Sequence, residues 1–245
     1  PVRSKYPRAI VKAIHTEKAK ALPGVVAVLT AEDIPGKQKI GHLKKDWDVL
    51  IPVGKTTHFL GDAIVLIAAE TPEILKQAKE LVEVEYEELD PILDAIQAMK
   101  EDSPLVHQSG NILSQEHLLR GNAEEKIKNS KYVVTNHYRT PPTEHAFLEP
   151  ETSVAFMQED GVVRVYSGDQ GIYQTQGECA EMLGLPREKV RVIAKMVGGG
   201  FGGKEDMSVQ HFAALLAWHT KRPVKVSLSR DESILTHPKR HAMDM

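Results

Sequence analysis

Short apolar runs alternate with amphipathic segments along the first part of the chain. The apolar runs predict strands at 9–14, 24–29, 63–69 and 82–86. The amphipathic segments predict helices at 16–22 and 71–82. Thr71, Pro72 and Glu73 favour the start of the second helix, because threonine caps, proline fits the first turn and a carboxylate is stabilised at the positive helix end. This alternation predicts a small α+β domain over residues 1–95.

A second series of elements follows a segment of mixed polar, proline and glycine content at 96–121, which is predicted to connect two domains. Strands are predicted at 132–138, 153–157, 162–166, 190–197 and 224–228. Helices are predicted at 123–130, 171–183 and 207–220, the last of them amphipathic. Asn122 is the expected cap of the first helix, and Gly184 is expected to end the second. The pattern predicts a second, mixed α/β domain over 122–245, and the abrupt ends suggest truncation at both termini.

The composition excludes several classes of protein. The chain is 41% hydrophobic and 27% charged, with a formal net charge of -3, so it lacks the basic field that nucleic acids require. No apolar run has the roughly 20 residues of a membrane span, and no secretory signal is found. We expect a cytoplasmic protein that binds neither nucleic acid nor membrane.

Three groups of residues could be mistaken for metal or redox sites. The glutamates at 83, 85, 87 and 88 fit a solvated strand face better than a metal site. His237 and His241 have a helical i, i+4 spacing, but Pro238 disfavours the continuous helix that a zinc pair would use. Cys179 is the only cysteine; it cannot hold an iron–sulfur cluster by itself and is expected to be buried rather than catalytic.

The most informative segment is the glycine loop, Gly198–Glu205, with the sequence GGGFGGKE. It lies between an apolar strand and a helix, where exposed backbone N–H groups and a helix N-terminus can bind an anion. Each glycine costs about 0.5 to 1 kcal/mol relative to alanine, so five of them in six positions exceed what a plain turn needs. The loop therefore predicts a ligand or cofactor site.

Two common phosphate loops match this sequence imperfectly. Gly198, Gly200 and Gly203 fit the dinucleotide pattern G-x-G-x-x-G, but the acidic residue expected about 20 positions later is missing. Lys204 imitates a Walker lysine, yet Glu205 stands where a magnesium-binding hydroxyl is needed. A Rossmann-type nucleotide-binding dehydrogenase domain remains an alternative, as does a noncatalytic assembly fragment.

Four ordered segments together resemble the xanthine dehydrogenase and aldehyde oxidase family. They are the glycine loop and residues 21–30 (ALPGVVAVLT), 143–149 (TEHAFLE) and 169–176 (DQGIYQTQ). The resemblance covers essentially the whole chain. It implies an α+β fold in which a small α/β-hammerhead domain precedes the first part of a mixed α/β molybdopterin-binding domain. It also implies that the chain is the front part of a molybdopterin-binding subunit.

The resemblance assigns roles to individual residues of this sequence. Gln170 is implied to donate a hydrogen bond towards an oxygen ligand of molybdenum, while Phe201 and Gly202 bring their backbone close to the cofactor. Gly199 and Gly200 are implied to let the chain pass near the same ligand. Glu205 matches a carboxylate that contacts purine rings, although a helix N-terminal acid would explain it equally well from the sequence alone.

The same resemblance implies that His145, Glu149 and Glu151 are a hydrogen-bonding scaffold and that no side chain of this chain binds the molybdenum. The implied reaction hydroxylates an electron-poor carbon of a purine or another N-heterocycle. The cofactor is molybdopterin, expected as its cytosine dinucleotide, and electrons pass to 2Fe-2S clusters and FAD on other domains or subunits. The general base is expected beyond Met245, so we expect the chain alone to be inactive without the rest of the molybdenum subunit and the partner subunits.

Overall fold

The computed structural model describes residues 1–245 and divides into two compact units. Unit 1 comprises Pro1–Leu89 and Glu144–Lys239, and unit 2 comprises Asp90–Thr143 and Arg240–Met245. Both units contain helices and strands, which confirms the α+β prediction. None of the helices combines the length and the apolar character that crossing a membrane would require.

The elements are short and are numbered here in chain order. The strands are β1 Val2–Arg3, β2 Ala9–His15, β3 Val25–Leu29, β4 Lys39–Ile40, β5 Trp47–Asp48, β6 Ala63–Ala69, β7 Glu83–Glu88, β8 Arg139–Thr140, β9 Thr152–Met157, β10 Val163–Ser167, β11 Val190–Ala194, β12 Val224–Ser227 and β13 Met243–Asp244. The helices are α1 Glu17–Lys20, α2 Pro72–Glu80, α3 Ala95–Ala98, α4 Ala123–Lys128, α5 Ile172–Leu183, α6 Gln210–Thr220 and α7 Arg230–Thr236.

Unit 1 is built on two larger sheets and two ribbons, β2–β7 and the short β4–β5. The first sheet has the order β1-β6-β3 and the second has the order β11-β10-β9-β12. In the second sheet only β10 and β11 are parallel, and the other neighbours are antiparallel. The antiparallel ribbon β2–β7 places its glutamates beside Lys12, His15 and Lys18 at the surface, which confirms that the acidic run is a solvated face.

Local signals confirm several predicted element ends. The Thr71 hydroxyl accepts a hydrogen bond from the N–H of Ile74 at 3.3 Å, and Pro72 occupies the first turn of α2. Asn122 caps α4 in the same way, through the N–H of Glu125 at 3.2 Å. Gly184 ends α5 with φ +65°, a left-handed conformation that glycine adopts without steric cost.

Helix α6 departs from the prediction in its start and in its faces. It begins at Gln210 rather than at residue 207, because the Gln210 side-chain oxygen accepts the N–H groups of Ser208 and Val209. The helix is also not amphipathic: every residue from Gln210 to Ala217 is buried. It packs on the second sheet on one side and on α5, β3 and β6 on others, so it lies inside the main core of unit 1.

The strand predicted at 132–138 is wrong. Residues 132–138 carry no strand, and the nearest strand is β8. The alternating apolar residues Tyr132, Val134 and Tyr138 are all exposed, and among 132–138 only Tyr138 exchanges backbone hydrogen bonds with another segment, at Met245. A period-two pattern forms a strand only when a second strand lies beside it. The strand predicted at 190–197 likewise ends at Ala194.

Candidate functional site

The glycine loop follows β11, an edge strand of the second sheet, and joins it to the core helix α6. The helix starts at Gln210, so the loop does not lead directly into a helix N-terminus as the sequence predicted. The loop presents its own backbone instead. The N–H groups of residues 199–202 have no acceptor within the protein, whereas the N–H of Gly203 bonds to the carbonyl of Gly200 at 2.8 Å. Successive unpaired N–H groups of this kind form an anion-binding concavity.

Gln170 lies directly against the glycine loop, as the role implied by the family resemblance requires. Its backbone N–H donates to the carbonyl of Lys204 at 2.9 Å, and its side-chain oxygen accepts the Lys204 backbone N–H at 3.2 Å. A Cβ on Gly200 would lie 2.3 Å from that side-chain oxygen, so glycine is needed for this approach. The oxygen is therefore engaged with the loop, and the amide NH2 group of Gln170 has no partner within the protein.

Phe201 and Gly202 form the accessible crest of the loop. The Phe201 side chain is 74% exposed, and Phe201 has φ +52° although it is not glycine. Gly202 has φ +86°, and no atom lies within 4 Å of the position that its Cβ would take. Gly199 also has a positive φ, +91°. The crest is thus an irregular backbone with open space in front of it.

The partly exposed Glu149 carboxylate pairs with the buried Lys204 and ties both ends of the loop together. The Glu149 carboxylate accepts the N–H of Gly198 at 2.6 Å and the Nζ of Lys204 at 2.9 Å. The Lys204 side chain is only 2% exposed, and its ammonium also lies 4.5 Å from the centre of the Phe147 ring. The hydrogen bond from Lys204 holds the pKa of Glu149 below its ordinary value, against the opposing effect of partial burial.

Asp169 fixes the turn that carries Gln170, and the sequence reasoning missed it. One carboxylate oxygen accepts the N–H of Gly171 at 2.6 Å. The other accepts the Thr175 hydroxyl at 2.8 Å and the Gln210 amide at 3.1 Å. Asp169 therefore links the starts of α5 and α6 beneath the loop. Its position next to Gln170 within the segment DQG was the signal available in the sequence.

Glu205 is exposed and follows the loop crest. It lies five residues before the start of α6, so the alternative explanation as a helix N-terminal acid does not hold. Its backbone carbonyl is 3.2 Å from the position of a Cβ on Gly171, which places Glu205 beside the Gln170 turn. The structure therefore brings together all the predicted site residues: Gln170, Gly199, Gly200, Phe201, Gly202 and Glu205.

The predicted scaffold residues also lie beside the loop. Glu149 bonds to it directly, while His145 and the buried Glu151 surround His237, whose Nε2 lies 2.7 Å from the Gly203 carbonyl. His237 was considered in the sequence only as one half of a pair with His241. Cys179 is fully buried, and burial raises its thiol pKa, which is unsuitable for a nucleophile.

The sheet does not favour the Rossmann alternative. In a Rossmann fold the glycine turn follows an inner strand of a parallel sheet. Here the loop follows an edge strand of a mostly antiparallel sheet.

Comparison with protein families gives two matches that together cover most of the chain. Residues 1–90 match the model described as "Aldehyde oxidase and xanthine dehydrogenase, a/b hammerhead domain". Residues 106–245 match the model described as "Molybdopterin cofactor-binding domain".

Individual relatives extend this similarity. The chain is 41% identical over 243 residues to the nicotinate dehydrogenase large molybdopterin subunit of Eubacterium barkeri, covering 99% of this chain and 57% of that subunit. It is 35% identical to the xanthine dehydrogenase molybdenum-binding subunit of Escherichia coli, covering 98% of this chain and 33% of the relative. The chain therefore spans between about a third and somewhat more than half of the length of these relatives.

Solved structures show the same fold. The aldehyde oxidoreductase of Desulfovibrio gigas superimposes with a TM-score of 0.91 at 25% identity, covering 98% of this chain and 28% of that one. The CO dehydrogenase of Oligotropha carboxidovorans superimposes with a TM-score of 0.85 at 29% identity, covering 97% of this chain and 32% of that one.

Proposed function

Because this chain belongs to the xanthine dehydrogenase and aldehyde oxidase family, we propose that its glycine loop and Gln170 hold molybdopterin in a molybdenum hydroxylase. The observation that carries the proposal is the meeting of two donor groups at one accessible crest. The N–H groups of residues 199–202 are unpaired, and the Gln170 amide approaches this stretch at Gly200, where a Cβ would lie 3.4 Å from the amide nitrogen. The crest offers hydrogen-bond donors, which suits an oxygen-rich anionic cofactor.

The residues present fit such a cofactor sterically as well. Gly202 faces open space and lacks a side chain that would fill it. Glu149 and Lys204 hold the two ends of the loop, so the donors are fixed before a ligand arrives. When bound, the cofactor supplies the oxidative hydroxylation chemistry of the family. In this proposal the residues of the chain bind it, orient it through Gln170 and leave the crest open to a substrate.

Glu205 is proposed to select the substrate. Its side chain is exposed and its backbone lies beside the Gln170 turn. A carboxylate here can accept the ring N–H groups that a purine such as xanthine has and a simple aldehyde lacks. The names of two relatives, a nicotinate and a xanthine dehydrogenase, agree with a nitrogen heterocycle. Glu205→Gln should lower kcat/KM for a purine relative to an aldehyde about tenfold or more. An unchanged ratio of the two kcat/KM values would contradict this role for Glu205.

The complete hydroxylation reaction is proposed to need further domains or subunits in addition to residues 1–245. This follows from the greater length of the relatives and from the family reaction, which requires a general base and electron carriers. We propose that the rest of the molybdenum subunit supplies the base, that 2Fe-2S and FAD domains or subunits accept the electrons, and that the cofactor is the cytosine dinucleotide form. The domain boundaries at 95 and 122 and the cytoplasmic location also remain predictions.

Gly202 provides the test, because Gly161 is a matched control. Both glycines have a positive φ, and neither has an atom within 4 Å of a Cβ position. In the assembled enzyme, Gly202→Val should lose about 90% or more of bound molybdenum and pterin, because valine occupies the space for the ligand. Gly161→Val should keep both, since it carries a comparable backbone strain at a remote turn.

Metal analysis and pterin fluorescence measure the two losses separately from activity. Normal loading of Gly202→Val, or equal losses in both variants, would contradict the proposed site.

A further inference from the structure

We propose that Glu144, His145 and His237 bind one divalent transition-metal ion of the zinc type, beside Gly203 of the glycine loop. One ligand atom from each residue lies within 4.8 Å of the other two. Two imidazole nitrogens and one carboxylate oxygen are a common ligand set for zinc. The site differs from the molybdenum site, whose residues bind through backbone and amide groups.

His237 is the residue that points most clearly to a metal. Its side chain is 1% exposed. Its Nε2 lies 2.7 Å from the Gly203 carbonyl and must donate to it, which leaves the lone pair on Nδ1. That buried Nδ1 has no hydrogen-bond partner. Histidine ligands of metals usually donate their other ring N–H to a carbonyl or carboxylate in this manner, which fixes the tautomer and the ring.

The ligand atoms of His145 and Glu144 lie near this Nδ1 of His237. The Nδ1 of His145 is also buried without a partner, and the rings of His145 and His237 pack edge to face with centroids 5.1 Å apart. An oxygen of Glu144 is 3.4 Å from Nδ1 of His237. A tetrahedral ion with bonds of ~2.1 Å joins ligand atoms about 3.4 Å apart, so modest side-chain rotations would close the site.

The surrounding charges support a cation. Both carboxylate oxygens of Glu151 are buried without hydrogen bonds, one of them 3.7 Å from Nε2 of His237. Lys239 pairs with one oxygen of Glu144 at 2.6 Å, and the oxygen nearer His237 accepts only a long 3.4 Å bond from the N–H of Ala146. Lys239 and, through space, Arg3 balance part of this charge, and a dication would compensate the buried Glu151 oxygens that no hydrogen bond satisfies.

The sequence predicted no metal ligand here, because His237 was compared only with His241. In the tertiary structure the possible ligands beside His237 are Glu144 and His145. His145 is 92 residues away from His237 along the chain. The proposed ion would hold the carbonyl of Gly203, and with it the end of the glycine loop, through the His237 ring.

Zinc binding to the chelator-treated 245-residue chain tests the proposal without any cofactor or activity. Competition with a chromophoric chelator should show one zinc ion per chain, and Co²⁺ should give the visible absorption of a low-symmetry site. His237→Gln and His145→Gln should each weaken zinc binding by about 100-fold or more. Glu144→Gln, at a partly exposed position, should weaken it with little effect on folding.

His15→Gln is the control, because His15 is an exposed histidine beside a carboxylate, Glu85, in the surface ribbon. It should bind zinc like the parent chain. The proposal is overturned if the parent binds no stoichiometric zinc, if all three ligand variants bind it like the parent, or if His15→Gln loses as much affinity. The proposed molybdopterin site could survive each of these results, since it uses other residues.

Discussion

Two glycine turns of this protein have similar backbones and opposite hydrogen bonding. Gly161, in the hairpin between β9 and β10, has φ +79°, and Gly202 in the glycine loop has φ +86°. The hairpin pairs its own backbone: Gly161 donates to Gln158 at 3.0 Å, and Gln158 donates to Val162 at 2.9 Å. The glycine loop leaves the N–H groups of residues 199–202 unpaired.

The two turns are therefore stabilised by different means. The hairpin is a local structure that needs only its neighbours. The loop depends on side chains from distant segments: Glu149 contacts its start at Gly198, and His237 and Gln170 contact its end at Gly203 and Lys204. A turn that pairs its own backbone connects two strands, whereas a loop held from outside can keep its donors for a ligand. Three changes test this difference.

Removal of Glu149 should have the largest effect. Glu149→Ala leaves the ammonium of Lys204 buried without a counter-charge and frees the N–H of Gly198. We expect the free energy of unfolding to fall by about 2–3 kcal/mol. Glu83→Ala, which breaks the exposed pair with Lys18, should cost far less, because solvent screens that pair. Urea unfolding measures both, and similar costs would mean that the loop is not held by this pair.

A methyl group on Gly203 should have the next largest effect. Its Cβ would lie 2.4 Å from Cε1 of the buried His237 ring. We expect Gly203→Ala to cost about 2 kcal/mol through overpacking. Gly161→Ala should cost about 1 kcal/mol, from the backbone alone. Adding His237→Ala should recover part of the first loss in a double-mutant cycle; a cycle without coupling would refute the contact.

Acid should lower the free energy of unfolding by less than either substitution, because the Glu149 carboxylate is partly solvated. The folded pKa of Glu149 lies below its ordinary value of 4.5, owing first to the hydrogen bond from Lys204. The carboxylate therefore contributes stability that is fully present above about pH 4.5 and is lost as pH falls through the folded pKa. The difference in urea midpoint between the parent and Glu149→Gln should narrow in that range. A constant difference from about pH 6 to about pH 3 would contradict this origin.

Most elements of the fold could be predicted where local chemistry decides them. The strand β6 and the start of α2 follow from an apolar run and from the Thr71-Pro72 cap. The segment at 132–138 has an equally clear alternation, yet it forms no strand because no neighbouring strand pairs with it. Helix α6 was predicted to be amphipathic because its apolar residues recur at a spacing that places them on one side, but strands and helices distant in sequence bury every residue from Gln210 to Ala217.

The residue types of the sequence by themselves predicted a ligand site at the glycine loop, because repeated glycines and exposed backbone N–H groups act locally. The DQG segment with Gln170 and the TEHAFLE segment were indicated only by the resemblance to the family. Only the tertiary structure decided that Glu149 and Lys204 form one ion pair across the loop and that His237 lies beside His145 and Glu144. These partners are tens of residues apart, and their contact depends on how the sheets and α6 pack, which no local pattern encodes.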